Sequence, residues 1–307
     1  MLLRFWGVRG SIPTPGPETV KYGGNTTCLE IRLNNGKIII IGAGSGIRAL
    51  GNKLVMEDMK KGPLDIDLFL SHTHWDHIMG FPFFTPIFIP GNKIRVHGPV
   101  NIGDEDLEQI VAGQMSYNYF PVKADELAAD IEYKVLKEGH FELSGGVKIT
   151  TKILNHPIID LGYRIEADDR VLVTVYDHEP FRNLFESNPD DPDYDEIAVR
   201  EGQKAAEENN RRVLEFIRGA DLLVHDAQYT NREYTSSKLG WGHSPMELVV
   251  KNGILMGVKR LALFHHDPTR KDVELDALER KIRARVKKIK KTNIDVFFAR
   301  EGMEIKL

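Results

Sequence analysis

Three histidines and an aspartate fall within six consecutive residues of this chain, His72-Thr73-His74-Trp75-Asp76-His77. The segment follows residues 66–70, an apolar run with the length of a buried strand. Imidazole and carboxylate groups are ligands that zinc, manganese and iron bind in proteins. Four such groups concentrated after one strand predict a metal site at the end of a sheet. A solvated histidine-rich loop is the disfavoured alternative.

The composition is that of a globular protein with a large core, since 41% of the 307 residues are hydrophobic and 28% are charged. We find no clear linker, and we expect one α/β domain over residues 1–307. The formal net charge of −4 argues against a strongly basic nucleic-acid-binding protein. A single cysteine, Cys28, excludes an internal disulfide. Without a signal-peptide pattern or a membrane-spanning apolar stretch, we expect a cytoplasmic protein with no membrane partner.

Apolar runs with strand character are followed by helical patterns in both halves of the chain, which predicts two sheets flanked by helices. Histidine or aspartate recurs where these predicted strands end. Side chains at the same ends of neighbouring strands converge in space. We therefore expect one shared site built from His72, His156, Asp177, Asp226 and His265.

A two-metal site needs more ligands than the His-rich segment offers. Two cations about 3.5–4 Å apart can hold both the attacking and the leaving oxygen of a displacement reaction. Residues His156, Asp177 and His265 each follow an apolar strand and are candidates for the missing ligands. His178 competes with Asp177, and His266 competes with His265. Strand alternation lets only one of two adjacent side chains face the metals, and we favour His265.

The segment 72–77 matches a His-x-His-x-Asp-His motif, and almost the whole chain resembles the hydrolases of the metallo-β-lactamase fold. The resemblance implies a four-layer αββα sandwich, with helical insertions near 103–140 and 182–212. It also implies a site for two divalent cations, with zinc favoured and manganese or iron left open. In that family's arrangement the first metal is bound by His72, His74 and His156, the second by Asp76, His77 and His265, and Asp177 bridges the two.

Three further segments resemble the phosphodiesterase branch of this family, which includes RNase Z. They are the opening FWGVRGSIP (5–13), the acidic segment VHDAQY (224–229) and Gly242-His243-Ser244. The resemblance implies that Asp226 orients His243 and keeps it protonated, so that His243 donates a proton to the leaving oxygen. In the alternative interpretation, His243 makes only a local contact at a helix that begins with Ser244 as N-cap and Pro245 as first residue.

Asp76 has a second role in the implied mechanism, because it can accept a proton from the nucleophile while it binds a metal. Two departures from the family's pattern bear on activity. Gly42 stands where the family usually has an acid behind the metal ligands, and loss of such a partner typically costs 10–100-fold in affinity or activity. The acidic motif has Asp226 where RNase Z has glutamate, and the long Gly/Pro-rich arm of RNase Z is not recognisable.

We therefore expect a metal-dependent phosphodiesterase that acts on a small phosphodiester or nucleotide, a cyclic nucleotide being one candidate. The alternatives are an RNase Z-like RNA endonuclease, a thioester or lactone hydrolase, and a non-enzymatic binding module. We expect the polar segment 103–137 to narrow the cleft. The resemblance leaves open whether two copies of the chain form a homodimer. Four aromatic residues near the motifs could stack on a base or pack in the core: Trp75, Phe83, Phe84 and Trp241.

Overall fold

Two mixed β-sheets lie face to face at the centre of the protein. The computed structural model describes residues 1–100, 103, 106–290 and 292–307. In chain order the strands among these residues are β1 Leu2–Gly7, β2 Cys28–Arg32, β3 Ile38–Ile41, β4 Asp65–Phe69, β5 Lys93–Pro99, β6 Asp130–Leu136, β7 Gly139–Leu143, β8 Val147–Leu154, β9 Asp160–Ala167, β10 Arg170–Val175, β11 Leu222–Asp226, β12 Arg260–Phe264, β13 Asp295–Phe298 and β14 Glu304–Lys306.

Each sheet combines an antiparallel and a parallel part. The first sheet has the order β14-β1-β2-β3-β4-β5-β6, and strands β3 to β6 are parallel. The second sheet has the order β13-β12-β11-β10-β9-β8-β7, and strands β10 to β13 are parallel. In each parallel part the carboxyl ends of the strands meet at one edge, where ligands bind in open α/β sheets.

Helices cover the outer face of each sheet, because the strands carry apolar side chains on both faces. The four consecutive isoleucines of β3 are all buried, as expected for a strand enclosed on two sides. In chain order the α-helices among the described residues are α1 Ile47–Lys53, α2 Trp75–Ile78, α3 Leu107–Gly113, α4 Glu196–Ile217, α5 Asn231–Glu233, α6 Met246–Leu255 and α7 Asp272–Lys287.

The buried apolar residues form three layers. The layer between the sheets includes Phe5, Phe69 and Phe264. Helices α1 and α3 close a second layer over the first sheet, and α4, α6 and α7 close a third layer over the second sheet. The predicted four-layer αββα sandwich is therefore confirmed. None of the described helices combines the length and the apolar character needed to cross a bilayer.

The predicted insertion at 103–140 is only partly helical. Residues 104–105 lie outside the described residues. Helix α3 occupies Leu107–Gly113, but Asp130–Leu136 forms β6, which pairs in parallel with β5 at the edge of the first sheet. Leu107, Val111 and Met115 are buried against the outer layer of that sheet. Pairing with β5 explains why the second half of this polar segment is extended.

Candidate metal centre

The carboxyl ends of four strands bring the predicted ligands together. Strand β4 leads into the His72–His77 segment, and β8, β10 and β12 lead into His156, Asp177 and His265. Strands β8, β10 and β12 run in the same direction, because β9 is antiparallel to both β8 and β10. Their ends therefore meet at one edge of the second sheet, where the end of β4 arrives from the first sheet.

The first cluster has three imidazoles and one carboxylate. Nδ1 of His74 lies 3.0 Å from Nε2 of His72 and 3.1 Å from Nε2 of His156. Oδ2 of Asp177 lies 3.5 Å from Nε2 of His72 and 3.8 Å from Nε2 of His156. These four side chains form one group suited to a metal ion.

The second cluster shares Asp177 with the first. Oδ2 of Asp76 lies 3.3 Å from Nε2 of His77 and 3.1 Å from Nε2 of His265. Oδ2 of Asp177 lies 3.3 Å from Nε2 of His77, and its Oδ1 lies 3.2 Å from Nε2 of His265. The Asp177 carboxylate thus faces both clusters, as a bridging ligand must.

The spacing of these atoms fits bound cations. Two ligand atoms that each lie about 2.1 Å from one ion in tetrahedral geometry are about 3.4 Å apart. Nδ1 of His74 faces two imidazole nitrogens, and one proton can satisfy only one of those contacts. Nε2 of His77 and Oδ1 of Asp177 are buried without a hydrogen-bond partner. A cation in each cluster would satisfy all these atoms, so the residues fit a pair of divalent metal ions.

The protonation states favour metal binding in the first cluster. Burial lowers the pKa of His72 and His74, and it lowers the pKa of His156 to about 4. These imidazoles are therefore neutral near pH 7 and have a free lone pair. Burial would also lower the pKa of His77, but the carboxylates of Asp76 and Asp177 raise it well above its usual value. The two carboxylates therefore make the second cluster a favourable place for a cation.

The orientation of the side chains decides between the two adjacent candidates at the ends of β10 and β12. The ring of His265 faces the second cluster, whereas Nε2 of His266 donates a hydrogen bond of 2.8 Å to the carbonyl of Ala299. Nδ1 of His178 accepts a hydrogen bond of 3.1 Å from the amide of Asn155. His265 and Asp177 are thus the members of each pair that reach the clusters.

The N-terminal loop shapes the second cluster. The amide of Ser11 donates a hydrogen bond of 2.7 Å to Oδ2 of Asp76. His265 has a φ of 59°, a left-handed conformation that is uncommon for residues other than glycine. The Arg9 guanidinium is fully buried and donates to the carbonyls of Gly23 and Arg270. Arg9 therefore holds the loop that brings Ser11 to Asp76.

The outer nitrogens of the ligands have partners although residue 42 is glycine. Nδ1 of His72 lies 3.0 Å from Oγ of Ser71 and 3.5 Å from Oδ2 of Asp160. Nδ1 of His77 lies 3.2 Å from Oγ1 of Thr27. Gly42 has a φ of 82°, and a Cβ there would lie 2.7 Å from the Thr27 carbonyl.

Asp160 was missed by the sequence analysis. Its side chain is fully buried, and neither carboxylate oxygen has a hydrogen-bond partner. Burial raises the pKa of Asp160, and the nearby Asp177 raises it further. The available signal was an acid at the start of a strand whose next residues are apolar. Its position behind His72 could be found only from the packing of the two sheets.

Asp226 and His243 lie beside the second cluster. Nδ1 of His243 is 3.3 Å from Oδ2 of Asp226, and the His243 ring stacks on His265 with centroids 5.0 Å apart. Burial would lower the pKa of His243, but Asp226 and Asp177 raise it to about 9. Asp226 also accepts a hydrogen bond of 2.9 Å from the amide of Ser244.

Ser244 does not cap the following helix, contrary to the alternative interpretation of this segment. Helix α6 begins at Met246 with Pro245 as its N-cap residue, and no side chain caps it. The hydroxyl of Ser244 instead donates a hydrogen bond of 2.6 Å to the carbonyl of His178. Ser244 therefore ties the His243 loop to the segment that follows β10.

Glu179 fixes the loop between residues 240 and 242, and it was also missed from the sequence. Its carboxylate accepts hydrogen bonds from the amides of Gly240 at 2.8 Å and Gly242 at 2.9 Å. The hydroxyl of Tyr234 donates a third, at 2.8 Å. The carbonyl of Gly242 in turn accepts a hydrogen bond of 3.1 Å from Nδ1 of His156. Glu179 thus supports a metal-facing histidine through the loop.

An open cleft of about 500 Å³ lies over the clusters. Trp75 and Trp241 line it and are 77% and 57% exposed, whereas Phe84 is buried and Phe83 packs against Phe120. No described residue of the segment 103–137 lines the cleft, so the expectation that this segment narrows it is wrong for the described part. The lining residues are Ser11, Thr73, His74, Trp75, Asp76, His156, Pro157, Asp177, Trp241, His243 and His265.

Comparison with known proteins identifies the family. The model of the metallo-beta-lactamase superfamily matches residues 22–174, which include the His72–His77 segment and His156. The chain belongs to the metallo-beta-lactamase superfamily. It is therefore a metal-dependent hydrolase, and its histidine and aspartate clusters indicate a dinuclear divalent metal site.

Relatives place the protein in the RNase Z-like branch of the metallo-beta-lactamase superfamily. Ribonuclease Z of Thermoplasma acidophilum is 26% identical over 291 residues, which cover 86% of this chain and 85% of that protein. The short form of human tRNase Z superposes with a TM-score of 0.59 at 18% identity, covering 100% and 99% of the two chains. A diphosphatase of the PhnP family superposes with a TM-score of 0.58 at 16% identity, covering 100% and 97%.

Proposed function

We propose that the protein hydrolyses a phosphodiester bond in a small nucleotide substrate, with cyclic nucleotides among the candidates. The observation that carries this proposal is the position of the Asp226–His243 pair beside the second cluster, with His243 lining the cleft. A thioester hydrolase needs no such acid, because a thiolate leaves readily without gaining a proton.

Each residue has a role in this proposal. His72, His74, His156 and Asp177 would hold one cation, and Asp76, His77, His265 and Asp177 would hold the other, with zinc as the proposed metal. When bound, such a cation pair would supply an activated water near neutral pH and would offset the charge that develops on the phosphate oxygens. Asp76 accepts the proton of the attacking water. His243 donates a proton to the leaving oxygen, and Asp226 orients the His243 ring.

Hydrolysis of bis(p-nitrophenyl) phosphate and of 2′,3′-cyclic nucleotides tests the proposal, with added zinc or manganese. We expect metal-dependent turnover in the wild type and none in His74→Ala. His243→Ala should retain bound metal but lose on the order of 10²–10⁴ in rate. Full activity of His243→Ala on thioesters or lactones would instead identify a different hydrolase class. About two metals per chain without turnover on any phosphodiester would indicate a binding module.

A second candidate is an RNA endonuclease of the RNase Z type. The curated relatives named Ribonuclease Z, matched over most of their length, favour it. The net charge of −4 disfavours a long polyanionic substrate. Cleavage of a precursor tRNA at its 3′ side, measured beside cyclic nucleotide hydrolysis on the same preparation, distinguishes the two functions.

A further inference from the structure

A second cavity adjoins the cleft over the metal clusters. It has a volume of about 220 Å³ and shares His156 and Pro157 with the cleft. The loop 240–242 separates the two spaces, because Gly240 and Gly242 line the second cavity and Trp241 lines the cleft. A substrate held at the clusters can therefore extend across Trp241 into this cavity, which we call the side cavity.

Arg182 brings a positive charge to the side cavity, which the carboxylate of Glu179 also lines. It lines the cavity but forms no hydrogen bond or ion pair with any residue that the structure describes. Its Nη2 atom lies 3.5 Å from the position that a Cβ on Gly240 would take. A guanidinium without a carboxylate partner has all its donors free for a phosphate, which it can bind in a bidentate manner. This makes Arg182 a suitable partner for a second phosphate group.

Trp241 is exposed and yet fixed in position. The amides on both sides of it are hydrogen-bonded to the buried carboxylate of Glu179. The ammonium group of Lys238 lies 3.6 Å from the centre of the Trp241 ring, which adds a positive charge beside the aromatic surface. A single exposed aromatic residue needs no explanation, but one held rigidly at the edge of a catalytic cleft is suited to stack on a base.

Apolar side chains complete the side cavity. Phe181 and Leu184 line it together with Arg182 and the amide side chain of Asn155. His156 and the carboxylate of Glu179 also line the side cavity, but both already have hydrogen-bond partners. The groups left for a ligand are one cation, one amide and apolar walls, which suit a nucleotide better than an inorganic anion. The nearest residue of the first metal cluster is His156, which lines both spaces.

We propose that the nucleotide next to the scissile phosphodiester stacks its base on Trp241 at the edge of the cleft and extends into the side cavity, where Arg182 binds a further phosphate. This inference rests on the proposed phosphodiesterase function and narrows its substrate class. The preferred substrates are then short nucleotides that carry a second phosphate, such as a dinucleotide with a 5′-phosphate. A minimal phosphodiester occupies only the cleft and gains nothing from Arg182.

Three probes separate these contributions: bis(p-nitrophenyl) phosphate, the dinucleotide ApA and its 5′-phosphorylated form pApA. We expect Arg182→Ala to raise KM for pApA about tenfold, the loss of one charge-assisted contact. The same variant should leave ApA and bis(p-nitrophenyl) phosphate within twofold of wild type. Arg48→Ala is the matched control, because Arg48 is an exposed arginine on α1 that lines neither space.

Trp241 variants test the stacking half of the proposal. Trp241→Ala should raise KM for both dinucleotides, and Trp241→Phe should recover most of the loss, because phenylalanine keeps an aromatic face. An Arg182→Ala variant that binds pApA like wild type, or that loses activity equally on all three probes, overturns the proposal. If the wild type hydrolyses no phosphodiester, the proposed function fails. Calorimetric titration of wild type and Arg182→Ala with pApA then still decides whether the side cavity binds it.

Discussion

The imidazole ring of His265 lies over the α-carbon of Gly10, so closely that a Cβ on Gly10 would stand 2.4 Å from Cε1 of the ring. Only glycine at position 10 leaves room for His265 to face the second cluster. His265 is constrained in two ways, since its backbone is also held in a left-handed conformation. Gly10 is therefore needed for the position of His265 in the second cluster, and not only for the turn in which it lies.

Gly10→Ala should displace His265 and weaken the second metal site. Since a misplacement of about 1 Å can cost 10²-fold in rate, we expect a loss of about that size in hydrolysis. Metal content should fall from about two ions per chain toward one. Gly16→Ala is the matched control, because nothing lies within 4 Å of a Cβ at this position in the same loop. Unchanged metal content in Gly10→Ala would contradict the constraint.

Asp160→Asn should weaken metal binding without destabilising the metal-free protein. The Asp160 carboxylate is buried 3.5 Å from Nδ1 of His72 and has no hydrogen-bond partner. Loss of a group that supports a ligand histidine typically costs 10–100-fold in metal affinity. Removal of an unpartnered buried carboxylate carries no penalty of its own. Competition with a chelator gives the affinity, and thermal unfolding in EDTA gives the stability.

Ser71 offers an alternative partner for the same nitrogen, because its Oγ atom lies 3.0 Å from Nδ1 of His72. Ser71→Ala is therefore measured beside Asp160→Asn. If only Ser71→Ala loses affinity, the hydroxyl orients His72 and the role given to Asp160 is wrong.

Asp67 should make the stability of the protein sensitive to acid. Burial alone would raise the pKa of Asp67, but its contacts with His97, Arg95 and Lys37 hold the pKa well below its usual range. In the unfolded chain this carboxyl has a pKa of about 3.9, so below neutral pH the folded state binds fewer protons than the unfolded state. The stabilisation is complete above that pH and is lost as the pH falls toward the folded pKa.

The measurement is the free energy of unfolding of EDTA-treated protein at a series of acidic pH values. Asp67→Asn should cost about 3–5 kcal/mol at pH 7, as expected when one partner of a buried ion pair is removed. Its stability should also fall less steeply with acid than that of wild type. Asp65→Asn removes a neighbouring exposed carboxylate that also pairs with Arg95, and it should have little effect.

The sequence predicted the metal-facing residues because their geometry depends on simple rules. Ligands that follow parallel strands meet at one edge, so His156 and His265 could be selected from their positions after apolar runs. Whether they bind metal stays a prediction. Strand alternation indicated that only one of His265 and His266 faces the metals, but it did not decide which. The left-handed backbone that turns His265 toward the clusters could not be foreseen.

Asp160 and Glu179 could not be predicted, because each acts on residues that lie far away in the sequence. Asp160 reaches His72 only because the two sheets pack face to face. Glu179 supports the loop 240–242 across a distance of about sixty residues in the chain. The strand Asp130–Leu136 was missed for a related reason, since an edge strand with polar residues gains its structure from pairing with β5.

Glu179→Gln should loosen the loop 240–242 and raise KM more than it lowers kcat. A carboxylate accepts hydrogen bonds on both oxygens, as Glu179 does from Gly240, Gly242 and Tyr234. A glutamine amide accepts on one side only, and its NH₂ group would face an amide donor. Hydrogen bonds to a charged group contribute about 1.5–3 kcal/mol each, so we expect a clear loss of thermal stability.

A graded series tests whether this effect comes from the loop. Tyr234→Phe removes one of the three donors and leaves both amides of the loop in place. Because Tyr234 is half-buried, its loss of stability should be about 1.5 kcal/mol, the lower end of that range. Its KM for dinucleotides should stay close to wild type, because the backbone on both sides of Trp241 remains fixed. Glu179→Gln should instead raise that KM by about the same factor as Trp241→Ala, since both changes remove a fixed aromatic surface. If Tyr234→Phe and Glu179→Gln raise KM equally, the Glu179 carboxylate does not act through the two loop amides.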